Sequence, residues 1–90
     1  MRTIVGNENI IAFHPGYYIA DIIEDMGISQ SEFAARVGVS EEMLDNIVNG
    51  RIGISSDIAR KFSVMLGTSA EVWFDLQRDY DWKLVEIQQI

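Results

Sequence analysis

The sequence predicts a mostly α fold, a bundle of five short helices forming one domain over residues 1–90. Three observations predict it. Apolar residues recur at three- and four-residue intervals in five successive segments. The first four of these stop at Gly27, Gly38, Asn49-Gly50 and Gly67, and no linker, low-complexity tract or long repeat interrupts the series. Short strands are expected only at the ends, in RTIV and NIIAF and, as an alternative to more helix, in the closing WKLVEIQQI. A chain of this length buries only about 60–65% of its unfolded surface, so a dimer is a reasonable expectation.

His14-Pro15 opens the first helix, because proline tolerates the first turn, where its missing N–H costs nothing. Ile19, Ile22, Ile23 and Met26 share its buried face. Ser29 caps the second helix, with Glu32 three residues on in a capping-box arrangement that satisfies two orphan N–H groups, and Phe33, Ala34 and Val37 go inward. Ser40 caps the third, which buries Leu44, Ile47 and Val48 and ends at Asn49-Gly50, two residues that tolerate the left-handed conformation. The fourth, capped by Ser55 or Ser56, buries Ile58, Ala59, Phe62, Met65 and Leu66. The fifth, capped by Thr68 or Ser69 and helped by Glu71 at the positive end of its dipole, buries Val72, Trp73, Leu76 and Tyr80. Trp73 and Phe74 are adjacent, hence about 100° apart, and one helix rarely buries both against the same neighbour. Phe74 and Trp82 are therefore assigned to a homodimer contact.

Between residues 29 and 50, two helices joined by VGVS carry the devices of a helix-turn-helix. Ala34 permits close approach, Gly38 supplies the turn, and Phe33, Val37, Val39, Leu44 and Ile47 form a small shared core. An ordinary packing hairpin would use the same devices. The continuation narrows the choice: HPG before the first helix, SQSEFAARVGVS, NGR, GIS before the fourth helix and LGTSAEVWFDLQ in the fifth, in that order. Over Phe13 to Asp81 this resembles the HigA-type antitoxins, a branch of the XRE/Cro-type helix-turn-helix proteins. The resemblance implies a five-helix DNA-binding core, a homodimer, autoregulation through operator DNA, and a paired basic toxin, an mRNA endoribonuclease of the RelE/HigB kind. The chain departs from the pattern at Tyr17, where an acidic residue is usual, at Ala70, where proline is usual, and at Glu41-Glu42-Met43, where neutral or basic residues are common.

In such proteins the second helix of the motif lies in the major groove with its N-terminal residues towards base edges. That places Ser40, Glu41, Glu42 and Asn46 at the DNA, where Asn46 can read adenine and a glutamate can accept from cytosine. Gln30 and Ser31 open the preceding helix, whose free N–H groups can hold a phosphate oxygen. Asn49 and Arg51 follow the reading helix, where the resemblance implies backbone contact. The charge runs against this reading. From Ser29 to Arg51, Arg36 and Arg51 stand against Glu32, Glu41, Glu42 and Asp45, two bases against four acids, or net −2, and the whole chain is −7. Non-specific nucleic-acid binders have the opposite balance. Glu41 and Glu42 also suit a helix N-terminus, at about 0.3–1 kcal/mol each.

The acidity matches a cationic partner, with Asp21, Glu24 and Asp25 on the first helix and Asp75, Asp79 and Asp81 near the C-terminus as candidate contacts. Three functions stay open: an antitoxin that also represses its operon, a stand-alone XRE-type repressor, and a protein-interaction module with a degenerate DNA helix. No enzyme, cofactor or metal is expected. The single histidine, His14, reads as a cap or packing group, no GxxxxGK loop occurs, there is no cysteine, and Asp79 with Asp81 alone is not a cation site. A cytoplasmic protein without a membrane span is expected, since MRTIVGNENIIAFH is broken by Gly6, Asn7, Glu8 and Asn9 and is too short and polar for a leader or a span.

Overall fold

The computed structural model describes residues 4–6 and 11–88. In chain order these form β1 (Ile4–Gly6), β2 (Ile11–Phe13), α1 (Pro15–Met26), α2 (Gln30–Val37), α3 (Glu41–Val48), α4 (Ser56–Leu66) and α5 (Ala70–Gln88). The strands pair antiparallel with Val5 opposite Ala12, and β2 lies against α5. Of the expected strand segments, Arg2, Thr3, Asn9, Ile10, Gln89 and Ile90 lie outside the described residues. The segment from Trp82 to Gln88 is helix, not strand, and makes α5 the longest helix of the fold. No helix of the described residues is long and apolar enough to cross a membrane.

One core joins all five helices: Ile19 from α1, Phe33, Ala34 and Val37 from α2, Leu44 and Ile47 from α3, Ile58, Ala59 and Phe62 from α4, and Trp73 from α5. A run of rings crosses it, with Phe33 and Phe62 centroids 6.2 Å apart and Phe62 and Trp73 5.4 Å apart. Burying each such side chain contributes roughly 1.5–3 kcal/mol, which offsets the ordering entropy of helices too short to persist alone. Ile22, Ile23, Val48, Met65, Leu66 and Leu76 are half-buried around it. Two expected core residues are exposed instead. Met26 is the last residue of α1, and Val72 is rotated about 100° off the stripe that Trp73 occupies.

The caps form largely as the spacing predicts. Ser29, Ser40 and Ser55 each accept an N–H three residues on, from Glu32, Met43 and Ile58, at 3.0, 3.0 and 3.3 Å, so Ser55 rather than Ser56 caps α4. The second half of the expected box at Ser29 does not form, because Glu32 turns its carboxylate to Arg36 one turn on, at 3.0 Å. At the end of α3 only Gly50 is left-handed, with φ 72°; Asn49 stays near φ −90°. Thr68 accepts the Trp73 indole N–H at 3.0 Å, and the first backbone bond of α5 runs from the Val72 N–H to the Ser69 carbonyl.

A close approach sets α1 against α3. A Cβ built on Gly16 would lie 1.9 Å from the Ile47 carbonyl oxygen, so only glycine lets α1 cross α3 at this distance. His14, fully buried, accepts the Gly16 N–H on Nδ1 at 2.9 Å. In the loop before α4, the Gln77 side chain of α5 accepts the Ile54 N–H at 2.8 Å, through space that Gly53 leaves open.

Candidate nucleic-acid interface

The turn between α2 and α3 follows from three small features. Gly38 takes φ 86°, the Gly38 and Val39 N–H groups both bond the Ala34 carbonyl, and Ala34 has no exposed surface to obstruct α3. Lys61 donates to the Gly38 carbonyl at 3.2 Å, placing a cation at the negative end of α2. Leu44 and Ile47 are fully buried, which fixes the rotation of α3 and turns Glu41, Glu42 and Met43 outward.

On this surface one carboxylate gathers the polar side chains. Asp45 Oδ1 accepts from Asn49 Nδ2 at 3.1 Å and from Gln30 Nε2 of α2 at 3.4 Å, and Oδ2 accepts from Arg51 at 3.1 Å. Asn49 Nδ2 also donates to the Asp45 carbonyl at 2.9 Å. The same Arg51 nitrogen donates to Asn46 Oδ1 at 3.1 Å, which leaves the Asn46 amide N–H groups for another acceptor. The backbone makes this possible. Gly50 reverses the chain, and the Arg51 N–H returns to the Asn46 carbonyl at 2.8 Å, bringing the guanidinium back over α3.

Of the eight residues the sequence places at DNA, the structure brings together Gln30, Asn46, Asn49 and Arg51. Ser31, Glu41 and Glu42 are exposed on the opening turns of α2 and α3, and the Ser40 hydroxyl is occupied as the α3 cap. Asp45 is the member that charge counting misreads, because a carboxylate in a helix expected to face DNA looks only repulsive. Its legible signals are Asn49 one turn later and Arg51 just past a glycine. The two bases of the motif pair with Glu32 and Asp45, so the net −2 resides in Glu41 and Glu42, neither of which forms an ion pair among the described residues.

Phe74 and Trp82 lie apart from this surface, both exposed, on an α5 groove of about 860 Å³ that Ile54, Val85 and the Gln77 stem help to line. Nearby, Asp75 pairs with Arg78 and Asp79 with Lys83 at 3.1 Å, while Asp81 accepts from Gln77 at 3.0 Å. Asp21, Glu24 and Asp25 form no ion pair among the described residues. No group of three or more acidic or histidine side chains among those residues could hold a metal ion.

A helix-turn-helix family model matches residues 19–73. The chain is 31% identical to Pseudomonas aeruginosa antitoxin HigA, solved with the higBA promoter; the TM-score is 0.77, over 81% of this chain and 80% of that one. A Coxiella burnetii addiction-module antidote protein of the HigA family superposes with a TM-score of 0.78 at 29% identity, over 80% of this chain and 79% of that one. Virulence-associated protein I of Dichelobacter nodosus is 30% identical over 87 residues, 96% of this chain and 81% of its own length. The matched segment contains the turn, the reading helix and the Asp45 cluster. The chain belongs to the helix-turn-helix family, in its XRE-type HigA antitoxin branch, a family of DNA-binding antitoxins and regulators rather than of enzymes.

Proposed function

We infer that this protein is the antitoxin of a type II toxin–antitoxin pair, that it neutralises a basic mRNA endoribonuclease of the RelE/HigB kind, and that it represses its own operon as a homodimer on operator DNA. The observation that carries the DNA half is the convergence of Gln30, Asn46, Asn49 and Arg51 on one face of α2 and α3, at the end of a capped and rigidly seated reading helix. Gln30, Ser31, Asn49 and Arg51 position the phosphates, while Asn46 and the first turn of α3, from Ser40 through Glu42, meet base edges. That the HigA relative was solved with its promoter supports this reading.

The toxin half rests on charge. A ribonuclease must attract phosphate, and a chain of net −7 is its electrostatic complement. Of the α5 candidates, Asp75 and Asp79 form ion pairs with Arg78 and Lys83, whereas none of Asp21, Glu24 and Asp25 forms one among the described residues, which makes α1 the better candidate surface. Phe74 and Trp82 supply the homodimer contact. Co-expression with the product of the adjacent gene should yield a complex that co-elutes at micromolar concentration and relieves growth arrest, and separate elution would overturn the toxin half. A gel shift on the upstream region at about 50 mM and again at about 200 mM salt tests the DNA half, since phosphate-dependent binding falls steeply over that range. The unpaired, outward Glu41 and Glu42 favour one competing reading, an interaction module with a degenerate DNA helix, which predicts no shift at either salt concentration with or without the partner.

A further inference from the structure

We propose that Asp45 is the positioning residue of the DNA-reading surface, holding Gln30, Asn49 and Arg51 in one arrangement and, through the Arg51 guanidinium, orienting the Asn46 amide that meets the bases, and so setting which sequence is bound. The role rests on the DNA-binding reading above and goes beyond it, because Asp45 itself need not touch DNA.

The geometry is that of a template. Both carboxylate oxygens are engaged by side chains from three places in the chain: the first turn of α2, the cap that ends α3, and the residue after the Gly50 reversal. Glutamine and arginine are long, flexible side chains, and fixing them on binding opposes association. A carboxylate that fixes them beforehand removes that penalty at the phosphates and, through the bond from Arg51 to Asn46 Oδ1, presents the Asn46 amide to the bases in one register and orientation, which favours the DNA whose base acceptors match it. Asp45 also carries the charge least suited to phosphate, so the arrangement lowers affinity for DNA of every sequence while favouring one. Simple repulsion would lower both alike. Discrimination rather than affinity is therefore the quantity on which Asp45 acts.

The network also constrains what can replace it. An asparagine at this position keeps one acceptor oxygen, but its amide nitrogen must then face either Arg51 or the Gln30–Asn49 pair, donor against donor. Asp45→Asn thus removes one charge and disorders at least one arm. Glu32→Gln is the matched control. It removes one charge from the same motif and likewise frees an arginine, Arg36, but lies outside the cluster.

The experiment measures binding of full-length wild type, Asp45→Asn and Glu32→Gln to the protein's own upstream DNA and to a scrambled duplex, with thermal melts of each protein. Asp45→Asn should tighten binding to scrambled DNA and reduce the ratio of specific to scrambled affinity tenfold or more, while Glu32→Gln leaves that ratio within about twofold. In the free protein, the Arg51 and Asn49 side-chain N–H signals should move towards solvent-averaged positions in Asp45→Asn alone. Equal gains on both DNAs for Asp45→Asn would overturn the role and leave DNA binding intact. A wild type that binds neither DNA overturns the DNA reading and this role with it. Should Asp45→Asn fail to fold, Arg51→Ala severs the arm that joins Asp45 to Asn46. Under the proposal it also lowers the ratio, whereas a lone phosphate donor would weaken both DNAs by one factor and overturn it.

Discussion

His14 and Tyr80 meet edge to face, with ring centroids 4.9 Å apart at an interplanar angle of 78°, and so join the start of α1 to α5. Burial pulls the His14 pKa below its ordinary 6.5, against the opposing pull of the Ile52 carbonyl and the Asp81 carboxylate. Burial, and then the Asp81 charge, likewise hold the Tyr80 phenol neutral. Protonating His14 would also remove the acceptor that caps Gly16. With the folded pKa below the unfolded one, the unfolded chain binds more protons between the two values. Stability is therefore complete above the unfolded pKa and declines as pH falls through it. Urea midpoints should drop between about pH 7.5 and about pH 5.5, and His14→Asn, which keeps an N-capping side chain without a titrating ring, should show a smaller drop. An equal drop in both proteins would place the titration elsewhere.

Gly16→Ala should destabilise the protein by about 2–4 kcal/mol, in the opposite direction to helix propensity, which alone would favour alanine by about 1 kcal/mol. The added methyl would lie 1.9 Å from the Ile47 carbonyl, a backbone atom that yields only if α1 and α3 separate. Chemical denaturation measures it, and unchanged stability would mean that the two helices are not held at this distance.

On α5, adjacent aromatic residues should behave oppositely. Trp73→Ala removes a buried ring and should cost about 3–5 kcal/mol of folding stability. Phe74→Ala and Trp82→Ala should leave melting nearly unchanged at low concentration and shift sedimentation towards monomer. Normal melting with unchanged sedimentation would remove both residues from the dimer contact.

Glu41→Gln and Glu42→Gln each remove an uncompensated negative charge from the exposed opening turn of α3, which the proposed function turns to DNA. Each should tighten binding to all duplexes, most at low salt, where the repulsion between carboxylate and phosphate is least screened. A glutamate that also reads cytosine should, on substitution, lose preference at that one base pair. Weaker binding to every sequence would mean that the carboxylates support the fold rather than oppose the DNA.

Much of this fold is legible because local chemistry and packing agree. Ser29, Ser40 and Ser55 cap where the spacing puts them, Gly38 turns the chain, and the buried residues of α2 and α3 are those with helical period. Trp73 and Phe74 divide as the 100° rule requires, one buried and one exposed. What the sequence hides depends on distant partners. That Gly16 is a crossing point needs Ile47, thirty-one residues further along the chain, and Gln77 as the acceptor for Ile54 needs α5 to fold back across the loop. Asp45 is hidden for another reason. Formal charge is read one residue at a time, whereas its effect is set by three donors that only the turn at Gly50 and the α2–α3 crossing assemble.

The loop from Arg51 to Ser55 is held at both ends, by the Arg51 N–H on the Asn46 carbonyl and by the Ile54 N–H on the Gln77 side chain. It acts as a strut between the long final helix and the end of the reading helix. In a dimer built on α5, the distance between two reading helices is then fixed by the stiffness of each protomer and not by the reach of a flexible arm. Under the proposed dimeric repressor, the molecule would then measure the DNA as well as read it, accepting half-sites at one separation and rejecting the same half-sites moved by a base pair or two.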